Sequence, residues 1–105
     1  MKKCFLLLPT NYNDGREVPP SVMVKILEEL YTNFGGYSIG GVARGSWRMS
    51  DGTKASDSSL QVWVIMGEEK VPLMRDLVKK FAGLLGQEKI LFEAMDWAGE
   101  FIGPD

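Results

Sequence analysis

At 105 residues the chain has room for one hydrophobic core and not for two. It is 45% hydrophobic and 25% charged with a formal net charge of −2, which is ordinary for a globular domain and argues against broad attraction to nucleic acid or anionic lipid. Cys4 is the single cysteine and histidine is absent, so an internal disulfide, the usual neutral-pH general base and the commonest zinc ligand are all excluded.

The opening "MKKCFLLLP" has the charge order of a secretion signal, but its apolar run, Cys4–Leu8, is far shorter than the about 7–15 residues such a signal needs. No stretch approaches the roughly 20 apolar residues of a membrane span. The expectation is a cytoplasmic protein in a reducing compartment. Lys2–Leu8 is apolar on both alternating faces and stops at Pro9, which reads as a central strand. "PTNYNDGREVPP" follows as a turn-rich connection, with Pro19 and Pro20 preparing a helix.

The spacing predicts a first helix over Ser21–Phe34. Met23, Ile26, Leu27, Leu30, Tyr31 and Phe34 make one stripe, and Gly35-Gly36 ends it. From Tyr37 the period becomes two. Tyr37, Ile39, Ala43 and Trp47 share one face, while Ser38, Val42, Arg44, Ser46 and Arg48 share the other. Asp51-Gly52 supplies a hairpin turn, and Ser58–Met66 returns as the clearest strand, with Leu60, Val62, Val64 and Met66 opposite Gln61, Trp63 and Ile65. A second helix is predicted over Pro72–Leu85, its stripe made by Met74, Leu77, Val78, Phe81, Leu84 and Leu85, with Gly86 as its stop. Lys89–Met95 is the last strand. Residues 1–95 form one domain, and 96–105 a tail that packs on the sheet or on a partner chain, since Trp97, Phe101 and Ile102 are too apolar for a free end.

The order β-α-β-β-α-β, with right-handed crossovers and one core, specifies a ferredoxin-like α+β sandwich: a four-stranded antiparallel sheet, order 4-1-3-2, with both helices on one face. The other face would carry Phe5, Trp63, Ile65, Leu91 and Met95, where a solvated face would alternate to polar residues. Something should cover it: a second copy of the chain, a ligand, or the tail with Trp97 and Phe101. A homodimer is the leading expectation.

"GGYSIGG" does not match a dinucleotide or phosphate-binding loop, because Gly40 and Gly41 are adjacent and a strand follows instead of a helix. Those glycines suit a bulge or a close backbone approach, and Gly45 suits a position beside a tryptophan. Small residues also leave room for a ligand, so Tyr37, Trp47 and Trp63 with Arg44 or Arg48 are candidates to hold a planar or anionic molecule. In the loop Thr10–Glu17, Asn11, Asn13, Asp14 and Arg16 are candidates for ion binding, although Asx-turn chemistry accounts for the same residues. Glu93, between Leu91 and Met95, is the foremost candidate proton carrier, with Tyr37 the other in the enzymatic alternative; a charge guarding an edge strand, or one paired with an arginine across a dimer, is the competing reading. Paired cysteines and calcium-loop spacing are missing, so no metal and no cofactor are expected. Phe5 and Trp63 loosely mimic the stacking aromatics of RNA-binding sheets, but the basic-Gly-aromatic pattern is absent and nucleic acid is not expected.

Taken together, "PTNYNDGREVP", "FGGYSIGG", "GSWRMSDGT" and "GQEKILFE" resemble a class of small uncharacterised bacterial proteins, in which a Phe-Gly-Gly segment follows the first helix and a Gly-x-Trp hairpin comes next. That resemblance implies no activity. The layout is also similar to ACT-type ligand sensors, without their Asp-x-Pro-Gly loop, and to dimeric α+β barrel enzymes. The expected function is a non-enzymatic binding or interaction module, self-associating through the helix-free face and open to a small ligand. The alternative is a small cofactor-free isomerase or monooxygenase of the dimeric barrel kind.

Overall fold

A computed structural model describes residues 1–105. Strands β1 (Lys2–Pro9), β2 (Ser38–Arg48), β3 (Lys54–Met66) and β4 (Phe92–Asp96) form one antiparallel sheet in the order β2-β3-β1-β4, the expected order read from its other edge. Helices α1 (Pro20–Phe34) and α2 (Val71–Leu84) complete the ferredoxin-like α+β sandwich. Pro20 and Pro72 each sit in a first helical turn, where a missing N–H costs nothing. Gly35, at φ 83°, ends α1 by returning its N–H to Tyr31 O at 2.8 Å. Gly86, at φ 61°, turns the chain away after α2, where Gln87 N reaches Ala82 O at 2.9 Å. A single 3₁₀ turn, Glu68–Lys70, leads from β3 into α2.

Cross-strand pairing sets the two faces. Cys4, Leu6 and Leu8 lie opposite Val64, Val62 and Leu60, and all of these face the helices. With Ile26 and Leu30 from α1 and Met74, Val78 and Phe81 from α2 they form the core. The other face carries Lys3, Phe5 and Leu7 from β1 opposite Ile65, Trp63 and Gln61 from β3, with Met95 and Glu93 opposite Lys3 and Phe5 on the far side.

Three expectations needed correction. β3 begins at Lys54, four residues before Ser58, because Asp51-Gly52 closes a turn tight enough for pairing to start at Arg48↔Lys54. β4 begins at Phe92, not Lys89; the segment ahead of it touches β1 through one backbone bond, Leu7 N to Leu91 O at 3.3 Å. On β2 a bulge between Ile39 and Gly41 absorbs Gly40 and flips the alternation. Ile39, paired with Val62, therefore shares a face with Val42, paired with Leu60, and not with Ala43 or Trp47.

Candidate functional site

Two features stand apart from the core: the helix-free sheet face and a groove beneath the β2–β3 hairpin. On the sheet face, Phe5, Trp63 and Ile65 are half-buried with no element laid over them. Gly40 gives the Trp63 ring its place, since a Cβ built on Gly40 would stand 2.6 Å from Trp63 Cζ3. The Lys3 ammonium lies 4.9 Å from the centre of the Trp63 ring, a cation–π contact. Met95 on the same face is 42% exposed. Glu93 is exposed opposite Phe5, so the apolar enclosure expected for a proton carrier is not present in the single chain.

The tail continues the line of β4 past the start of β1. Trp97 is tied by its N–H to Met1 O at 3.2 Å and its ring meets Phe101 at a centroid distance of 5.4 Å. Beyond it, Phe101 and Ile102 stand 83% and 82% exposed.

The groove arises because β2 and β3 run past the end of β1. Thr10 ties their stem to the β1 loop, donating its N–H and hydroxyl to Ser58 O at 2.9 and 3.0 Å. At the tip, Ser50 donates its N–H at 3.2 Å, and its hydroxyl, to the Glu88 carboxylate. Bridged at both ends, the hairpin arches over an open groove of about 1350 Å3. Arg44, Ser46, Trp47, Arg48, Lys54, Ser56 and Asp57 line it from the hairpin; Asn11, Tyr12 and Asn13 come from the β1 loop, and Glu88, Lys89 and Leu91 from the approach to β4.

Of the sequence-named ligand residues, Arg44, Trp47, Arg48, Asn11 and Asn13 gather at this groove. Tyr37, Trp63, Asp14 and Arg16 lie outside it. Trp63 and Trp47 are separated along the hairpin, their pairing positions on β3 being 63 and 55, about 26 Å apart at strand rise. Asp14 directs both oxygens to Arg16, whose N–H and Nε donate at 3.0 and 2.6 Å, and these bonds hold its carboxyl below the usual range. Asn13 joins the loop to the end of α2, donating to Gly86 O at 3.0 Å and accepting from Gln87 Nε2 at 3.2 Å. The indole N–H of Trp47 donates to Asp57 at 3.2 Å, and its ring lies beside Gly45. Lys54, Glu88 and Lys89 escape the sequence reading. Periodicity puts Lys54 in a return loop rather than on a strand, and the tip contact that brings Glu88 in spans 38 positions of sequence. No three acidic or thiol groups converge as a metal site requires, and no helix is long and apolar enough to cross a membrane.

No protein-family model matches the sequence, and no curated protein matches it. Among solved structures, a phage SAM lyase in complex with S-methyl-5′-thioadenosine is similar at a TM-score of 0.73 and 17% identity, over 90% of this chain and 80% of that one. The divalent cation tolerance protein CutA1 from Thermus thermophilus is similar at 0.65 and 15%, over 96% and 88%. CutA from Pyrococcus horikoshii is similar at 0.62 and 12%, over 96% of this chain and 88% of the other. At these identities the likeness establishes the shared ferredoxin-like α+β fold.

Proposed function

We propose that this chain is a binding module that self-associates through its helix-free sheet face and holds a small molecule in the groove under the hairpin. The uncovered aromatic face is the observation that carries the reading. Phe5, Leu7, Trp63 and Ile65 make a contiguous apolar surface, each side chain only half-buried, and such surfaces mark contacts. A second copy is a fitting cover. The face bears one cation, Lys3, and one carboxylate, Glu93, so a two-fold axis can set unlike charges against each other while burying like apolar groups. Sedimentation equilibrium tests this. The wild-type protein is expected to be dimeric at tens of micromolar, and Trp63→Lys to be a folded monomer by circular dichroism. A monomeric wild type would overturn self-association, and a dimeric variant would move the contact to another surface.

A second reading, a small cofactor-free enzyme of the dimeric barrel kind, is favoured by the groove and by the likeness to a lyase. Glu93 lies outside the groove, so any proton transfer would pass to a lining residue such as Tyr12. Appearance of S-methyl-5′-thioadenosine from SAM, followed chromatographically, would replace the binding reading with this one. Unchanged SAM would count against it.

A further inference from the structure

We infer that the groove under the β2–β3 hairpin is an anion site for a small phosphate-bearing molecule, held among Arg44, Arg48, Lys54 and Lys89. The inference rests on the ligand half of the reading above and names its chemical class; it is independent of self-association. Arg48 and Lys54 are direct cross-strand partners and so share one face of the hairpin. Like charges in that position repel. No ion pair relieves them: the ion pairs of the molecule involve Lys2, Arg16, Lys79 and Lys80, and none of the four groove cations.

The same face continues with Ser46 opposite Ser56, their hydroxyls 3.2 Å apart, and with Arg44 opposite Ser58. Cations and hydroxyls thus alternate along a ribbon that borders the groove. The two carboxylates of the lining are already engaged, Asp57 by the Trp47 indole and Glu88 by Ser50. The lining therefore carries two more positive than negative charges in a chain whose net charge is −2, and a concave site with a net positive charge concentrates anions. Arginine forks and hydroxyl donors match the several acceptor oxygens of a phosphate better than the two of a carboxylate. A sulfonium such as SAM would meet charge of its own sign here.

Isothermal calorimetry with sodium pyrophosphate at low salt is the test. Saturable binding is expected, weakening as sodium chloride is raised. Arg44→Gln and Arg48→Gln should each reduce the affinity about tenfold, while Lys79→Gln, which removes the same charge from α2, should leave it unchanged. Arg48→Gln should also raise the melting temperature, because the Arg48/Lys54 repulsion is gone. ADP binding more tightly than pyrophosphate would identify a nucleotide, with Tyr12 contributing through its ring; equal affinity would identify the phosphate groups alone. Absence of saturable heat at millimolar pyrophosphate would overturn the inference, as would equal losses in Lys79→Gln and Arg48→Gln or a fall in melting temperature for Arg48→Gln. Binding of adenosine without pyrophosphate would also overturn it while leaving the ligand reading in place. Sedimentation in the same buffer reports self-association separately.

Discussion

Cys4 is fully buried on the helix side of β1, its Sγ 3.7 Å from Met66 Sδ. Burial pushes the thiol pKa up, against weaker opposing effects of Arg75 and Lys2, so little reactive thiolate exists at neutral pH. Iodoacetamide is therefore expected to label Cys4 slowly in the native protein and quickly in urea, read by mass spectrometry. Native labelling at the free-cysteine rate would mean that β1 opens readily. At the hairpin tip the carboxylate of Asp51 behaves oppositely. The hydroxyl of Thr53 at 2.6 Å, and then its N–H at 2.9 Å, donate to Asp51 Oδ1 and lower its pKa from the ordinary 3.8. A lowered folded-state value means the contribution is present above the unfolded value and is lost as pH falls through the folded one. The tip should thus hold from neutral pH down to about 4 and loosen below it, a local effect because the group is exposed. Titration of the Asp51 carboxyl carbon by NMR should give a midpoint below 3.8; a midpoint at or above it would remove these bonds from the account.

β2 shows how one residue type governs an element. Gly41 takes φ +107° at the bulge, a conformation side chains resist, and Gly40 beside it lies against the Trp63 ring. Gly40→Ala must displace that ring from its contact with Lys3, at an expected cost of about 1–2 kcal/mol. Urea unfolding should show the loss and Trp fluorescence the displacement; a variant unchanged in both would mean the ring is free to move. The bulge also marks where sequence reasoning runs out. The glycine pair announces a bulge, but period counting cannot say which residue is skipped, so it puts Ile39 on the wrong face. Regular elements are readable because their signals are local: stripes on α1 and α2, alternation on β3, glycines at φ 83° and 61° beyond the helix ends. Half of the candidate site is readable for the same reason, since Arg44, Trp47 and Arg48 stand on the part of β2 beyond the bulge, where the alternation is regular. Lys54, Glu88 and Lys89 are not, because the arch that gathers them depends on a tip contact between segments far apart in sequence.

The molecule as a whole is elongated, 52 × 27 × 23 Å with a radius of gyration of 14.7 Å, where a compact chain of this length would have about 13 Å. The excess is in keeping with two parts that pack little against the core: the hairpin arch and the tail. Phe101, which meets the Trp97 ring, and Ile102 bury little in the single chain, so their removal should hardly affect its folding. Truncation after Gly99 is expected to leave the urea unfolding of dilute protein within about 0.5 kcal/mol of the full chain, the range of surface changes. If the tail reaches across to a second copy, the same truncation should raise the dissociation constant of the dimer in sedimentation equilibrium. Area buried by two large apolar side chains, at about 1.5–3 kcal/mol each, would make that rise at least tenfold. A truncated chain that dimerises as tightly as the full one would confine self-association to the sheet face. A truncated chain that unfolds earlier even when monomeric would show instead that the tail packs on its own domain. The same pair of measurements therefore separates a tail that serves the fold from one that serves the assembly, which the position of Phe101 and Ile102 in a single chain favours.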